Sequence, residues 1–207
     1  KMFGELKDKI KSVKNPFLSK LLTAIFIDDF EFQTVFKASS AAKTVHHGFL
    51  GGLLEHTLGV VKLCEYFCNN YESLNRDLLI TSALCHDIGK TRELSAFPAN
   101  DYTDEGQLVG HIVIGVEILK AHIDKIPGFP KKLSNELIHC ILAHHGELEY
   151  GSPKKPALIE ALALNLADNA DAKMETFIEL LAQGQDGATG WLGYNKLLES
   201  NYRKTSV

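Results

Sequence analysis

A histidine and an aspartate stand side by side at positions 86 and 87, at the end of an otherwise apolar helical segment. Leu79 and Ala83 precede them at three- to four-residue spacing, so the pair continues the buried face of that helix. A buried carboxylate is rarely tolerated unless it is paired or bound to a metal, and a buried imidazole also needs a partner. His86 and Asp87 are therefore candidate metal ligands, and Lys90 adds a positive charge that suits a phosphate.

Three further histidines and one aspartate occupy positions where an apolar residue would otherwise complete the buried face of a helix. They are His56, His111, His144 and Asp168. With the pair at 86 and 87 they come from five separate predicted helices, so one shared partner is needed, and a cluster of metal ions is the economical one. Imidazole and carboxylate ligands without cysteine favour manganese, iron, cobalt, nickel or zinc over calcium.

The elements that must position these residues are predicted from apolar spacing. Residues 1–40 predict two packing helices, and further helices are expected from Leu53, over 75–86, from Asp104 through His111, from Pro130 to His144, and over about 156–181. The glycine-rich segment 184–207 is expected to form a loop and a short helix around Tyr194 to Glu199. No strand pattern is found, so the sequence predicts an all-α fold in one globular domain.

Composition excludes several classes of protein. A chain of 207 residues with 45% hydrophobic and 23% charged residues is ordinary for a soluble globular domain. It has no apolar run long enough for a membrane span and no signal-peptide core, which predicts a cytoplasmic protein. A net charge of -4 argues against a surface that holds nucleic acid by charge alone. The four cysteines form no CxxC pair, so we expect reduced, buried thiols.

The ordered set H, HD and D, carried by His56, His86-Asp87 and Asp168, resembles the HD-domain metal-dependent phosphohydrolases. Similarity to the HD region of the YhaM-type 3′-to-5′ exoribonucleases extends over about residues 41–175. It is carried by longer strings such as AAKTVHHGFLGGLLEHTL, HDIGK, YTDEGQLVGHIVIGVEI and AHHGELEYGSP. The resemblance implies an HD-domain helical bundle with a central metal site, made of packing helices at 1–40, an HD core at 41–183 and the segment 184–207.

The resemblance also implies roles for the candidate residues. One metal ion would be held by His56, His86, Asp87 and Asp168, and Asp87 would bridge to a second ion held by His111, His144 and His145. Two cations lower the pKa of a shared water and neutralise phosphate oxygens. Asp87 and Lys90 would be the catalytic residues. The expected substrate contacts are Lys90, His46, His47 and Lys154, and Glu55 or Asp171 are candidates for orienting an imidazole.

Three classes of function stay open. The first is a phosphodiesterase that acts on RNA or single-stranded DNA in the manner of a 3′-to-5′ exonuclease, and the second is a hydrolase of small or cyclic nucleotides. The third is a non-catalytic module that binds a nucleotide and regulates a partner, which the complete ligand set argues against. The YhaM-type proteins carry an OB-type nucleic-acid-binding domain ahead of the HD domain. The first forty residues show no such barrel, so an OB-type domain is expected upstream if the chain is a fragment.

Overall fold

The computed structural model describes residues 1–43, 48–183, 190–196 and 198–206. Most of these residues are helical, as the sequence predicts. The helices are α1 (Met2–Ser12), α2 (Pro16–Thr23), a π-helical stretch (Ala24–Asp28), α3 (Phe30–Ala38), α4 (Gly52–Asn70), α5 (Arg76–Cys85), α6 (Lys90–Glu93), α7 (Asp104–Leu108), α8 (His111–Ile123), α9 (Lys131–Ala143), a 3-10 turn (Leu148–Tyr150) and α10 (Ile159–Gln183). Two strands follow, β1 (Trp191–Asn195) and β2 (Ser200–Arg203).

Side-chain caps explain where several helices begin. Asn15 accepts hydrogen bonds from the backbone N–H groups of residues 17 and 18 at the start of α2, whose first residue is Pro16. Asn75 caps α5 in the same way, and Thr103 caps α7. Such caps satisfy backbone donors that the first helical turn leaves unpaired. The start of α5 is therefore fixed by local sequence, and its length carries the chain to His86.

Helix α4 lies at the centre of the packing and contacts α1, α3, α5 and α10. Its buried face includes Leu53, Leu58, Val60 and Val61, which belong to one core that extends from α1 to α10. The all-α prediction is confirmed, whereas the division at residues 40 and 183 stays a prediction. Among the described residues, no helix combines the length and apolar character that crossing a membrane requires.

The C-terminal segment corrects one expectation. Where a short helix around Tyr194 to Glu199 was predicted, the chain forms an antiparallel hairpin in which Trp191 pairs with Arg203 and Tyr194 with Asn201. Aromatic residues favour strands. In addition, φ is positive at Gly193 (92°) and Glu199 (49°), which a right-handed helix does not allow.

A second correction concerns the helix expected from Asp104 through His111. It is broken at Gly110, whose φ of 79° ends the first piece, and α8 begins at the next residue. His111 therefore lies in the first turn of a new helix. Gly89 makes this arrangement possible, because a Cβ at that position would lie 2.0 Å from the carbonyl oxygen of His111.

Candidate metal centre

Five helices bring the six inward-facing candidates together, as the sequence predicts. His56 lies on α4, His86 is the C-cap residue of α5, His111 is the first residue of α8, and His144 is the C-cap residue of α9. Asp168 lies on α10. Asp87, which follows His86, is 2% exposed, and His86 and His144 are fully buried. Only a partner inside the protein can satisfy side chains placed so deeply.

The potential ligand atoms fall into two groups of three residues each. One group contains His56, His86 and Asp168, and the other contains His111, His144 and His145. Within each group the ligand atoms all lie within 4.8 Å of one another. This spacing is compatible with three side chains that converge on one cation.

Asp87 lies between the two groups and turns one carboxylate oxygen to each. Its Oδ1 is 3.6 Å from Nε2 of both His111 and His144. Its Oδ2 is 3.5 Å from Nε2 of His56 and 3.3 Å from Nε2 of His86. The carboxylate is thus oriented as a bridge between two ion sites would be.

Two atoms at this junction lack a hydrogen-bond partner in the described part of the chain. They are Oδ1 of Asp87 and Nε2 of His144, and both are buried. Leaving a buried polar atom unpaired is costly, and native proteins rarely do so. Imidazole nitrogens and carboxylate oxygens are suitable donors for a divalent transition metal. The donor set and its orphaned atoms therefore fit a metal centre.

Backbone carbonyls orient three of the imidazoles. Nδ1 of His86 donates to the carbonyl of Ala83 at 2.8 Å, and Nδ1 of His144 donates to that of Ile141 at 2.7 Å. Nδ1 of His145 lies 3.0 Å from the carbonyl of Tyr150. Because a carbonyl only accepts, the proton of each neutral ring must be on Nδ1, and Nε2 keeps its lone pair for the cluster.

Carboxylates orient the other two imidazoles. Nδ1 of His56 lies 2.7 Å from Oδ2 of Asp171, and Nδ1 of His111 lies 2.9 Å from Oε1 of Glu93. Glu93 also accepts the backbone N–H of His111, at 2.9 Å. The sequence singled out Asp171 for this role but missed Glu93, whose position 18 residues before His111 carries no local signal. Such partners fix ring orientation and raise ligand basicity.

The close approach of α4 to α10 depends on Gly59. A Cβ at that position would lie 2.0 Å from Oδ1 of Asp171. Gly59 lies three residues after His56, and Asp171 lies three residues after Asp168, so the four positions face one another across the two helices. The imidazole of His56 is consequently held between two carboxylates of α10, with Asp168 3.1 Å from its Nε2.

Electrostatics favour ionised carboxylates in the cluster. Burial alone would raise the pKa of Asp87, but the Lys90 ammonium and the surrounding imidazoles outweigh burial and hold that pKa well below its usual range. Burial would also raise the pKa of Asp168, but its hydrogen bond to His56 and the nearby imidazoles lower that pKa instead. Both side chains are therefore in the form that binds a cation.

The imidazoles differ in their readiness to bind a metal. Burial disfavours the charged form of His56 and His144, yet their carboxylate neighbours raise both pKa values above the usual range. His145 has the opposite balance, since burial and the neighbouring His144 and His111 lower its pKa to about 4. His145 is thus neutral near pH 7, whereas protons compete more strongly with a metal at His56 and His144.

The comparisons with known proteins agree with this ligand pattern. A sequence profile of the HD domain matches residues 53–173. The chain belongs to the HD domain family. It is 38% identical over 189 residues to the 3′-5′ exoribonuclease YhaM of Geobacillus sp. (strain WCH70), covering 90% of this chain and 56% of that protein. It is 35% identical over 190 residues to the 3′-5′ exoribonuclease YhaM of Bacillus subtilis (strain 168), covering 90% of this chain and 58% of the relative.

This HD domain chain thus spans a little over half the length of the curated relatives that it matches. No solved structure gives a significant match. The family predicted from the motif order is confirmed, and the profile includes every candidate ligand from His56 to Asp168.

Lys90 lies against the carboxylate of Asp87. Its Nζ is 2.7 Å from Oδ2 of Asp87, and its side chain is 17% exposed. Burial alone would lower its pKa, but Asp87 outweighs burial and raises it, so Lys90 remains an ammonium ion. Contact between Lys90 and a phosphate stays a prediction.

The remaining predicted substrate contacts lie apart from the cluster or outside the described residues. His46 and His47 are among the residues that the structure does not describe. Lys154 is exposed, and its charge contributes to lowering the pKa of His139.

Of the two candidates for orienting an imidazole, Glu55 is exposed, and Asp171 occupies the position beside His56. The two histidines outside the motif, His122 and His139, make local contacts with the Ile118 carbonyl and the Ala157 N–H.

Proposed function

We propose that this chain is a metal-dependent phosphohydrolase that cleaves phosphodiester bonds of RNA or single-stranded nucleic acid from the 3′ end. The observation that carries the proposal is the position of Asp87, with one oxygen toward each group of ligands. The names of the YhaM relatives support RNA as the substrate. Because the chain covers only part of those proteins, their activity is assigned here as a proposal.

The candidate ligands would form two ion sites. His56, His86, Asp168 and Oδ2 of Asp87 would hold one divalent ion, and His111, His144, His145 and Oδ1 of Asp87 would hold another. Manganese, iron, cobalt, nickel and zinc all suit these donors. When bound, such a pair of ions lowers the pKa of a shared water and neutralises the phosphate that it attacks.

The chain supplies the remaining parts of the reaction. Asp87 fixes the spacing of the two sites, and the hydrogen bonds at Nδ1 keep every Nε2 directed inward without reorganisation. Lys90 holds its ammonium beside Asp87 and is assigned to the substrate phosphate, because a protonated amine cannot bind a cation but can pair with an anion. His46, His47 and Lys154 are retained as proposed substrate contacts.

The four cysteines support a reducing, cytoplasmic setting for this activity. All four are free thiols, and Cys64, Cys85 and Cys140 are buried. Disulfides are rare in the cytoplasm. The relatives are longer than this chain, and an upstream OB-type domain in the full-length protein would add the nucleic-acid affinity that a net charge of -4 does not provide.

A substrate panel tests the proposal. Purified protein with Mn²⁺ is incubated with 5′-labelled single-stranded RNA, single-stranded DNA, cyclic nucleotides and nucleoside monophosphates. We expect stepwise shortening of the RNA from its 3′ end. Hydrolysis confined to cyclic nucleotides or monophosphates would support the small-nucleotide alternative instead, and no hydrolysis of any of them would contradict the proposal. His144→Asn should abolish turnover, while the matched control His122→Asn, which lies outside the cluster, should keep it.

A further inference from the structure

A cleft of about 450 Å³ opens beside the metal-ligand cluster, between α10 and the 3-10 turn Leu148–Tyr150. Its lining combines two candidate ligands with an aromatic ring, two amides, a small residue and a cation. These residues are His145, Tyr150, Asn165, Asp168, Asn169, Ala172 and Lys173. The cleft is thus continuous with the cluster and has the polar and aromatic groups that a nucleotide requires.

One wall of the cleft is a polar stripe of α10. Asn165, Asn169 and Lys173 recur at four-residue spacing, so they share one face of the helix with Asp168 beside it. Lys173 lies five residues beyond Asp168, roughly 7.5 Å along the helix axis at about 1.5 Å per residue. This distance is on the scale of one phosphate-to-phosphate step in an extended strand. Lys173 is exposed, and among the described residues no acid pairs with it.

The inner end of that stripe is rigid. Nδ2 of Asn165 donates to the carbonyl of His144 at 2.8 Å. Gly146 lets the two segments meet, because a Cβ there would lie 2.6 Å from the same Nδ2 atom. The wall is therefore fixed to the segment that carries His144 and His145, and the distance between cluster and stripe is set by the fold.

Tyr150 also lines the cleft, and its backbone carbonyl contacts a candidate ligand. Its carbonyl lies 3.0 Å from Nδ1 of His145, while the residue as a whole is 67% exposed. The exposed ring is available to stack on a base, and its turn is tied to a candidate ligand through the Tyr150 carbonyl. Stacking on such a ring needs an unpaired base, which a single strand supplies.

We propose that this cleft binds the nucleotide immediately 5′ of the scissile phosphate, and this inference rests on the proposed function. The base of that nucleotide stacks on Tyr150, and its own 5′ phosphate pairs with Lys173. Asn169 lies between the two and faces the sugar. The substrate is accordingly a strand of at least two nucleotides with a phosphate on each side of the bound unit, and duplex ends are poor substrates.

The Lys173 contact is tested with two dinucleotides that differ by one phosphate, pApA and ApA. The 5′ phosphate of pApA is the group assigned to Lys173. We expect wild-type kcat/KM to be roughly 10-fold or more higher for pApA, the scale of a charged hydrogen bond. Lys173→Met should bring the ratio close to one, mainly by raising KM for pApA. The matched control Lys155→Met, whose Nζ pairs with Glu147, should keep the wild-type ratio.

The Tyr150 contact is tested in the same assay. Tyr150→Ala should raise KM for pApA by roughly 5- to 100-fold, the range for loss of one stacked base, whereas Tyr150→Phe keeps the ring and should stay near wild type. A second control, Tyr66→Ala, removes an exposed tyrosine that is not part of the cleft. An unchanged pApA to ApA ratio in Lys173→Met, or equal KM values for Tyr150→Ala and Tyr150→Phe, would overturn the inference.

Failure of the proposed function would give a different result. In that case the wild-type protein would hydrolyse neither dinucleotide nor any strand in the substrate panel. Calorimetric binding of pApA and ApA in Mn²⁺ then makes the same comparison without turnover. Tighter binding of pApA that depends on Lys173 would support the cleft assignment, and equal binding of the two dinucleotides would refute it.

Discussion

Asp87 and the five histidines around it are oriented from the protein side before any ion binds. Three imidazoles donate to carbonyls one helical turn or one short loop away, and two lie against the carboxylates of Asp171 and Glu93. Each ligand group therefore contains one imidazole that a carboxylate orients. Preorganisation of this kind lowers the cost of assembling the site around a cation.

The role of Asp171 predicts a metal phenotype for a residue that is not itself a candidate ligand. Asp171→Ala should weaken Mn²⁺ binding by roughly 10- to 100-fold, since the imidazole of His56 loses its orienting partner. Calorimetric titration of metal-stripped protein measures this, and circular dichroism monitors the fold. The control Asp124→Ala removes an exposed acid far from the cluster. Equal Mn²⁺ affinity in the two variants would contradict the prediction.

The position of Lys90 predicts a defect in turnover without loss of metal. Lys90→Met should lower kcat/KM on a phosphodiester by about one order of magnitude or more, because a charged contact with the reacting phosphate is lost. Metal content should stay near the wild-type value, since the ammonium is not a ligand. The exposed control Lys62→Met should have normal kinetics. A normal kcat/KM for Lys90→Met would end its assignment to phosphate.

The candidate ligands other than His145 could be recognised in the sequence because each interrupts an apolar helical stripe, whereas His145 was indicated only by the family resemblance. His56, His86, Asp87, His111 and His144 are all recognisable in this way. Glu93 could not be found, because its contact with His111 forms only after the chain has turned back through a loop. The contact of His145 with the Tyr150 carbonyl could not be predicted either, because every residue type has a backbone carbonyl.

At the scale of helices, glycines decide how closely the ligand-bearing elements approach. Gly89 lets the start of α6 lie against the first turn of α8, and Gly59 makes room on α4 for Asp171 of α10. Periodicity predicted the helices but not these contacts. It also missed the break at Gly110 and the C-terminal hairpin, because positive φ at a glycine follows from tertiary context as much as from local sequence.

Gly89→Ala tests the helix contact directly. The added Cβ would lie 2.0 Å from the carbonyl oxygen of His111 and 2.7 Å from the backbone nitrogen of Gly115, so one helix must move. We expect the free energy of unfolding to fall by about 1–3 kcal/mol, the range for overpacked sites, with a matching loss of metal affinity.

Gly4→Ala is the matched control for that change. Nothing lies within 4 Å of a Cβ at Gly4, which is in the first turn of α1. Alanine should therefore leave stability equal or raise it by up to about 1 kcal/mol. Urea denaturation of both variants measures the difference. Equal stability of Gly89→Ala and wild type would show that α6 and α8 tolerate separation.

At the scale of the whole molecule, the candidate centre lies inside the only core that the described residues form, so we expect metal binding to be coupled to folding. The all-α class and the central position of the site could both be predicted, since apolar stripes and ligand positions share the same helix faces. Any ligand that binds the folded state alone stabilises it according to its concentration. Without a metal ion, the protein must tolerate the buried, unpaired Oδ1 of Asp87 and Nε2 of His144, and it lacks the stabilisation that binding would add.

Metal removal should therefore lower the melting temperature. At a Mn²⁺ concentration of about 100 times Kd, binding adds roughly 2.7 kcal/mol, which for a chain of this size corresponds to about 5–10 °C. Scanning calorimetry with Mn²⁺ and with chelator measures the shift. The variant His122→Asn should show the same shift as wild type. A wild-type melting temperature that is the same with Mn²⁺ and with chelator would contradict the coupling.

The central claim is that Asp87 bridges a two-ion centre that hydrolyses phosphodiesters. Metal content and turnover, measured on the same preparation of Asp87→Ala, test this claim most directly. Wild-type protein reconstituted with Mn²⁺ should contain about two ions per chain, because two groups of candidate ligands lie on either side of this carboxylate. Asp87→Ala should lose most of the metal together with the activity while remaining helical. Full metal occupancy with full turnover in Asp87→Ala would contradict the claim.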